Sequence, residues 1–214
     1  MIPESSAAPK TPAGRLIELR RELSYLERDL AEANAKASRA AEKLKLFTDL
    51  GNVSFGSVEA AQIWVDFVFW EMVLNKHDKL NAIFEIGTWK GGFSWWLWAQ
   101  AKARRMHFET YDAIVPKRTI PGFSRADVFK EYATLGITFR AFEPCVVFCD
   151  GGNKPRELAI FSEQLEHPES LLLVHDWGTE MLPENVPGSL EMLYGDFCEQ
   201  YSSITRVFQR RTNA

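Results

Sequence analysis

Residues 83–94, Ile-Phe-Glu-Ile-Gly-Thr-Trp-Lys-Gly-Gly-Phe-Ser, constrain this chain more than any other segment. An apolar run ends in an acid, turns through spaced glycines and opens directly into a helical pattern. A strand–loop–helix of this kind brings backbone N–H groups and a helix N-terminus to one point, and glycine lets a ligand approach closely. The spacing is G-x-x-x-G-G behind E-x-G, not the G-x-G-x-x-G of a dinucleotide fold. A nicotinamide-dependent oxidoreductase is therefore disfavoured. An ordinary βα turn is the plainer alternative.

From residue 83 onward, short apolar runs alternate with helical stretches. Strands are expected at 82–86, 106–111, 146–149 and 170–174, and helices at 92–104, 124–134 and 155–166. Such alternation implies parallel strands with right-handed crossovers, hence an α/β, doubly wound, mostly parallel Rossmann-like sheet. One region fits poorly. Between Asp112 and Asp150 there is one good helix and a weak strand, Ile137 to Phe142, which runs almost at once into Val146. Parallel neighbours cannot be joined by three residues.

A second signal precedes the domain. Leu16, Leu19, Leu23, Leu26, Leu30, Ala33, Ala37, Ala40, Leu44 and Phe47 recur in alternating steps of three and four. This heptad pattern predicts a coiled-coil helix over 15–50, roughly 45–50 Å long, with self-association through residues 15–47. A parallel pairing would set Arg15 by Arg20 and Glu22 by Glu27 of a second copy, so antiparallel or higher-order pairing is preferred. A long helix lying on its own domain is the alternative. Residues 1–14 read as a disordered lead-in. Gly51 to Ser57 form a hinge, and residues 51–214 the main domain. Within it, Ser57 is expected to cap a helix to about Asn75, with Ala61, Trp64, Phe67, Val68 and Met72 on one face.

With 214 residues, 46% hydrophobic and 25% charged, the chain can bury a sizeable core. A net charge of −4 leaves no electrostatic footprint for nucleic acid. No apolar run approaches the roughly 18 residues that span a bilayer. The N-terminus lacks the apolar stretch of a signal peptide. Cys145, Cys149 and Cys198 lack metal-ligand spacing and read as reduced core thiols. A cytoplasmic protein is expected.

Three further segments deliver polar residues to strand ends. Asp112 closes the run Met106–Asp112, about 20–25 residues beyond the glycine loop, as a βαβ unit requires. Its carboxylate could accept both hydroxyls of a vicinal diol, with Glu109 as the weaker alternative; a solvated acid at a strand end is the plainer reading. Val146–Cys149 leads to Asp150, Gly151 and Gly152, after which Pro155 starts a helix. Leu171–Val174 ends in His175 and Asp176.

Taken together, over roughly residues 60–180, these segments resemble the class I S-adenosylmethionine-dependent methyltransferases, in particular small-molecule O-methyltransferases and the cephalosporin hydroxylase-like branch. The resemblance implies a Glu85, Gly87, Thr88, Trp89, Gly91 and Gly92 loop around the cofactor's methionine side, with Lys90 close by. It implies Asp112 on the ribose, and Asp150, His175 and Asp176 at the reaction end, Asp150 also touching cofactor. Asp150 and Asp176 could hold Mg2+, although His175 stands where metal-dependent members carry a carboxylate. Asn153 occupies the place of a histidine base in some members. His175 is then either the general base or a cap on its strand end. The adenine-contacting acid after the third strand is hard to place, with Glu143 as candidate. Trp177 and the loop 178–189 form either a substrate lid or a plain connection.

The expected reaction is O-methylation of a small molecule or a saccharide hydroxyl. A degenerate methyltransferase fold serving as an assembly or binding module through its coiled coil is the rival. Gly87→Val is expected to remove cofactor binding while leaving the fold largely intact. Trp95, Trp96 and Trp98 cannot all be buried on one helix face, and Arg210-Arg211 reads as a solvated terminus.

Overall fold

The computed structural model describes residues 53–55 and 57–211. The expected lead-in over 1–14 and coiled coil over 15–50 lie outside the described residues, as does part of the hinge.

The sheet is built on three strands whose every residue is buried: β3 (Ala82–Ile86), β6 (Cys145–Cys149) and β7 (Leu171–Val174). Runs this apolar need helices on both faces, and alternate residues serve the two sides. Ile83, Val146, Phe148, Leu171 and Leu173 join one core with Phe67, Trp70, Phe93 and Leu97. Phe84, Ile86, Val147, Cys149, Leu172 and Val174 join the other with Leu135, Phe139, Leu158 and Phe161. The first core comes from α1 (Trp64–Lys76) and α2 (Gly92–Arg104), the second from α3 (Val128–Ala141) and α4 (Lys154–Gln164). Trp70 is fully buried, with its ring edge-on to Phe148 at 5.0 Å.

β4 (His107–Asp112) and β5 (Phe123–Arg125) extend the sheet beyond β3. A final pair, β8 (Leu190–Leu193) and β9 (Arg206–Arg210), completes it around a short α5 (Gly195–Tyr201). The order is β5-β4-β3-β6-β7-β9-β8. Strands β3 to β7 are parallel, whereas β9 runs antiparallel to both β7 and β8. The doubly wound, mostly parallel sheet is thus present. The closing antiparallel pair carries no clear sequence pattern; Arg210 ends it and Arg211 follows, both exposed, donating to the carbonyls of Leu165 and Leu190.

Two expectations are corrected. No helix starts at Ser57. Ser57 and Ala61 have left-handed φ of 63° and 50°, and a small hairpin, β1 (Ser54–Phe55) with β2 (Val58–Glu59), occupies the segment. The helix begins at Trp64. Its buried face holds Val65, Phe67, Phe69, Trp70, Val73 and Leu74, while Trp64 and Val68 are exposed.

The second correction resolves the crowded region before Asp150. Ile137 to Phe142 is not a strand: through Ala141 it is the C-terminal half of α3, with Leu135 and Phe139 buried four residues apart and Ile137 exposed. The missing strand is β5, a three-residue strand paired with Thr110–Asp112, which takes the first residues assigned to the helix 124–134. The crossover has its usual length.

The three cysteines are free and buried, as expected. Among the described residues, no helix is long and apolar enough to cross a membrane.

Candidate functional site

The chain leaves β3 toward β4 and β6 toward β7, so the two neighbouring strands send their helices to opposite faces. Their carboxyl ends therefore border a crevice, the place where open α/β sheets bind ligands. A cavity of about 360 Å³ lies there, lined among others by Gly87, Trp89, Tyr111, Asp112, Ile114, Asp127, Phe129, Asp150 and Glu157.

Gly87 is where the loop meets the sheet. Its N–H donates to the Tyr111 carbonyl at 2.8 Å, and its φ is 97°. A Cβ here would stand 2.3 Å from the Asp150 carbonyl oxygen. Gly87→Val would therefore disturb the joined ends of β3 and β6, contrary to the expectation that the fold survives it.

Gly91 and Gly92 do not line the crevice. A Cβ on Gly92 would collide with the backbone of Val58 and Glu59, so this glycine seats the β1–β2 hairpin on the start of α2; Gly91 makes room for Ile120. Glu85 and Thr88 lie beneath the loop. Thr110 Oγ1 donates to Glu85 Oε2 at 2.6 Å and sits 2.6 Å from Thr88 Oγ1, an internal chain that ties loop to strand. Burial pushes the Glu85 carboxyl up to about 8, against the hydrogen bond from Thr110.

Trp89 and Asp112 do meet at the crevice. Trp89, left-handed at φ 48°, donates its backbone N–H to Asp112 Oδ2 at 3.1 Å, and Ile114 N–H donates to Oδ1 at 2.8 Å. Each oxygen keeps a lone pair for a further donor. The Lys90 ammonium lies 4.2 Å from the centre of the Trp89 ring and pairs with Glu59. Glu109 is occupied elsewhere, by His107 and the Tyr111 hydroxyl.

The opposite wall holds an acid that the sequence pattern leaves unmarked. Asp127 follows β5 and lines the crevice beside Val128 and Phe129. Lys130 holds its carboxyl below the usual range through an ion pair at 2.8 Å. Glu143, in contrast, accepts from Glu166 N–H and Ser170 Oγ and does not line the crevice. The signal that could have found Asp127 is its pairing with Glu131: Asp127 N–H donates to the Glu131 carboxylate, a helix-start pattern.

At the other end, Asp150, His175 and Asp176 converge. His175 is buried, its Nδ1 3.1 Å from Asp150 Oδ1 and 3.3 Å from Asp176 Oδ1. Flanked by two carboxylate oxygens, Nδ1 carries the hydrogen. Nε2 faces Asp66 Oδ2 at 4.0 Å. Burial alone would lower the imidazole's pKa, but the charge and hydrogen bond of Asp150, joined by those of Asp176, push it up to about 10. The hydrogen bond from His175, helped by Lys154, holds Asp176 well below the carboxylate range. Asp176 itself is left-handed, at φ 58°.

Lys154 is a member of this cluster that its motif does not announce. Its ammonium lies 2.9 Å from Asp176 Oδ2, 2.8 Å from Glu180 Oε2 and 3.5 Å from Asp150 Oδ1. Gln62 Nε2 reaches Asp150 Oδ2 at 3.3 Å, and Asp66 accepts from Ser203 Oγ and Thr205 N–H. Asn153 is a helix cap, accepting from Arg156 N–H at 3.1 Å. Glu157 accepts from the N–H groups of Gly151 and Asn153, and burial pushes it up to about 7.

Donor atoms of Asp150, His175 and Asp176 lie within 4.8 Å of one another, close enough for a metal. The residues do not fit magnesium as they stand. Mg2+ takes oxygen at about 2.0–2.1 Å; here one of the three donors is an imidazole nitrogen and an ammonium already bridges the acids. Trp177 packs on Phe208 and Arg206, away from the crevice lining, so the loop it opens is anchored at its start.

No protein-family model matches the chain, and no curated protein matches it. Among solved structures it is similar to that of MycE, a methyltransferase from the mycinamycin biosynthetic pathway in complex with Mg, SAH and mycinamycin VI. The identity is 14% and the TM-score 0.42, over 70% of this chain and 48% of the other. The chain thus spans about half the length of that structure.

Proposed function

We propose that this chain is an S-adenosylmethionine-dependent methyltransferase that O-methylates a small molecule or a saccharide hydroxyl. The observation that carries the reading is Asp112: a carboxylate at the end of β4, fixed by the N–H groups of Trp89 and Ile114, with a lone pair on each oxygen facing the crevice. A vicinal diol matches such an acceptor pair. Asp127 and the apolar edge of Ile114, Val128 and Phe129 suit a flat heteroaromatic ring beyond the ribose.

Methyl transfer from a sulfonium is an in-line displacement, so the protein's task is to position nucleophile, carbon and sulfur and to take up the hydroxyl proton. In this reading Asp150, His175 and Asp176 together form the reaction end that holds the acceptor hydroxyl and takes up its proton, and Lys154 positions the two acids. The heptads over 15–47 are proposed to carry self-association, which Leu19→Glu with Leu26→Glu should abolish in sedimentation. Free buried cysteines suit a reducing, cytoplasmic setting.

Titration calorimetry with S-adenosylhomocysteine tests the cofactor half. Saturable one-to-one binding is expected, and its absence would overturn the enzyme reading. A panel of hydroxylated acceptors with labelled S-adenosylmethionine tests the transfer itself.

A further inference from the structure

We infer that the reaction end of the crevice carries its own cation: the Lys154 ammonium holds the place that a divalent metal ion would take among Asp150, Asp176 and Glu180, and the site takes up no such ion. Lys154 opens α4, four residues after Asp150, and its side chain is only 5% exposed. Around its nitrogen stand four oxygens: Glu180 Oε2 at 2.8 Å, Asp176 Oδ2 at 2.9 Å, the Gly151 carbonyl at 3.2 Å and Asp150 Oδ1 at 3.5 Å. This is an oxygen cage drawn from the turn after β6 and from the loop after β7, around a point charge that α4 supplies.

The other oxygens of the two aspartates are also committed. His175 Nδ1 lies between Asp150 Oδ1 and Asp176 Oδ1, and Gln62 Nε2 reaches Asp150 Oδ2. A hard divalent cation needs several anionic oxygens drawn in to about 2.0–2.2 Å, and it surrenders its water reluctantly. It would have to displace a tethered ammonium, which has no translational freedom to regain and would lose its partners while still buried. Charge balance works the same way. The carboxylates are compensated from within, so little net negative charge remains to attract a second cation.

The inference concerns ion occupancy and stands whether or not the crevice takes S-adenosylmethionine. The test is titration of the full chain with Mn2+, read as free Mn2+ by electron paramagnetic resonance. Wild type is expected to leave Mn2+ free at millimolar concentrations. Lys154→Ala and Lys154→Met, folded by circular dichroism, are expected to take up one equivalent at least about tenfold more tightly. Stoichiometric Mn2+ uptake by wild type, lost in Asp176→Asn, would overturn the inference. So would folded Lys154 variants that bind no Mn2+, because the acids would then not form a cation site at all. If neither Lys154 variant folds, the wild-type and Asp176→Asn titrations decide.

Discussion

His175 Nδ1 lies 3.1 Å from Asp150 Oδ1, and this contact joins the ends of two neighbouring parallel strands, β6 and β7. With Asp176 on the same nitrogen, it favours the charged form of the histidine behind the acid that faces the crevice. The consequence is a sign. A histidine whose folded pKa is raised to about 10 adds stability that is fully present below about 6.5 and is lost as pH rises through 10. His175→Gln should therefore cost about 3 kcal/mol near pH 6, with the difference from wild type shrinking toward pH 10. Denaturant melts across that range check it, and imidazole nitrogen shifts in wild type should still report the charged ring at pH 8.

Glu85 behaves in the opposite chemical sense but with the same slope. Its folded pKa of about 8 lies above that of the unfolded chain, so the folded state binds the extra proton and loses stability as pH rises from about 4.5 to 8. Glu85→Gln keeps an acceptor for Thr110 and has no charge to bury. The variant should gain on wild type across this window, by roughly 2–4 kcal/mol at its alkaline end. Melting temperatures at pH 5 and pH 8.5 decide the matter; an equal gap at both would refute it.

Asp112→Ala removes the acceptor pair at the crevice while leaving only the N–H groups of Trp89 and Ile114 to find water. Loss of two hydrogen bonds to a charged acceptor should weaken S-adenosylhomocysteine binding roughly 10- to 100-fold. The melting temperature should change little. Calorimetry on the folded variant reads the first effect, and scanning fluorimetry the second.

Gly87→Ala places a Cβ against the Asp150 carbonyl at a backbone conformation that alanine avoids. The expected cost is about 3 kcal/mol or more, read as a lower denaturant midpoint. Gly152→Ala is the control: its Cβ would meet no atom within 4 Å, so stability should be nearly unchanged.

The segments read correctly from sequence are those whose signal is local and repeated. Ala82–Ile86, Cys145–Cys149 and Leu171–Val174 are apolar apart from Glu85 because both faces are covered, and helix 92–104 is found at its expected bounds. Their carboxyl ends bring Asp112 and Asp150 to the crevice and set His175 and Asp176 beside Asp150, an arrangement implicit in parallel strands alone. β5 escaped because three residues, Phe123-Ser124-Arg125, are too few to show alternation, and it forms only by pairing with Thr110–Asp112. With it went Asp127.

Sequence by itself determined a parallel α/β sheet and which acids its strand ends present, since hydrophobic periodicity and turn chemistry act over a few residues. Tertiary structure alone decided what surrounds those acids. Gly91 and Gly92 serve the packing of a hairpin and Ile120. His175 Nδ1 is held between Asp150 and Asp176 at two strand ends, and its Nε2 lies 4.0 Å from Asp66, 109 positions earlier in the chain. Lys154 fills the acid cluster through Glu180, 26 residues away. The physical reason is that burial and charge compensation depend on partners remote in sequence, and a side chain's protonation and role follow from them.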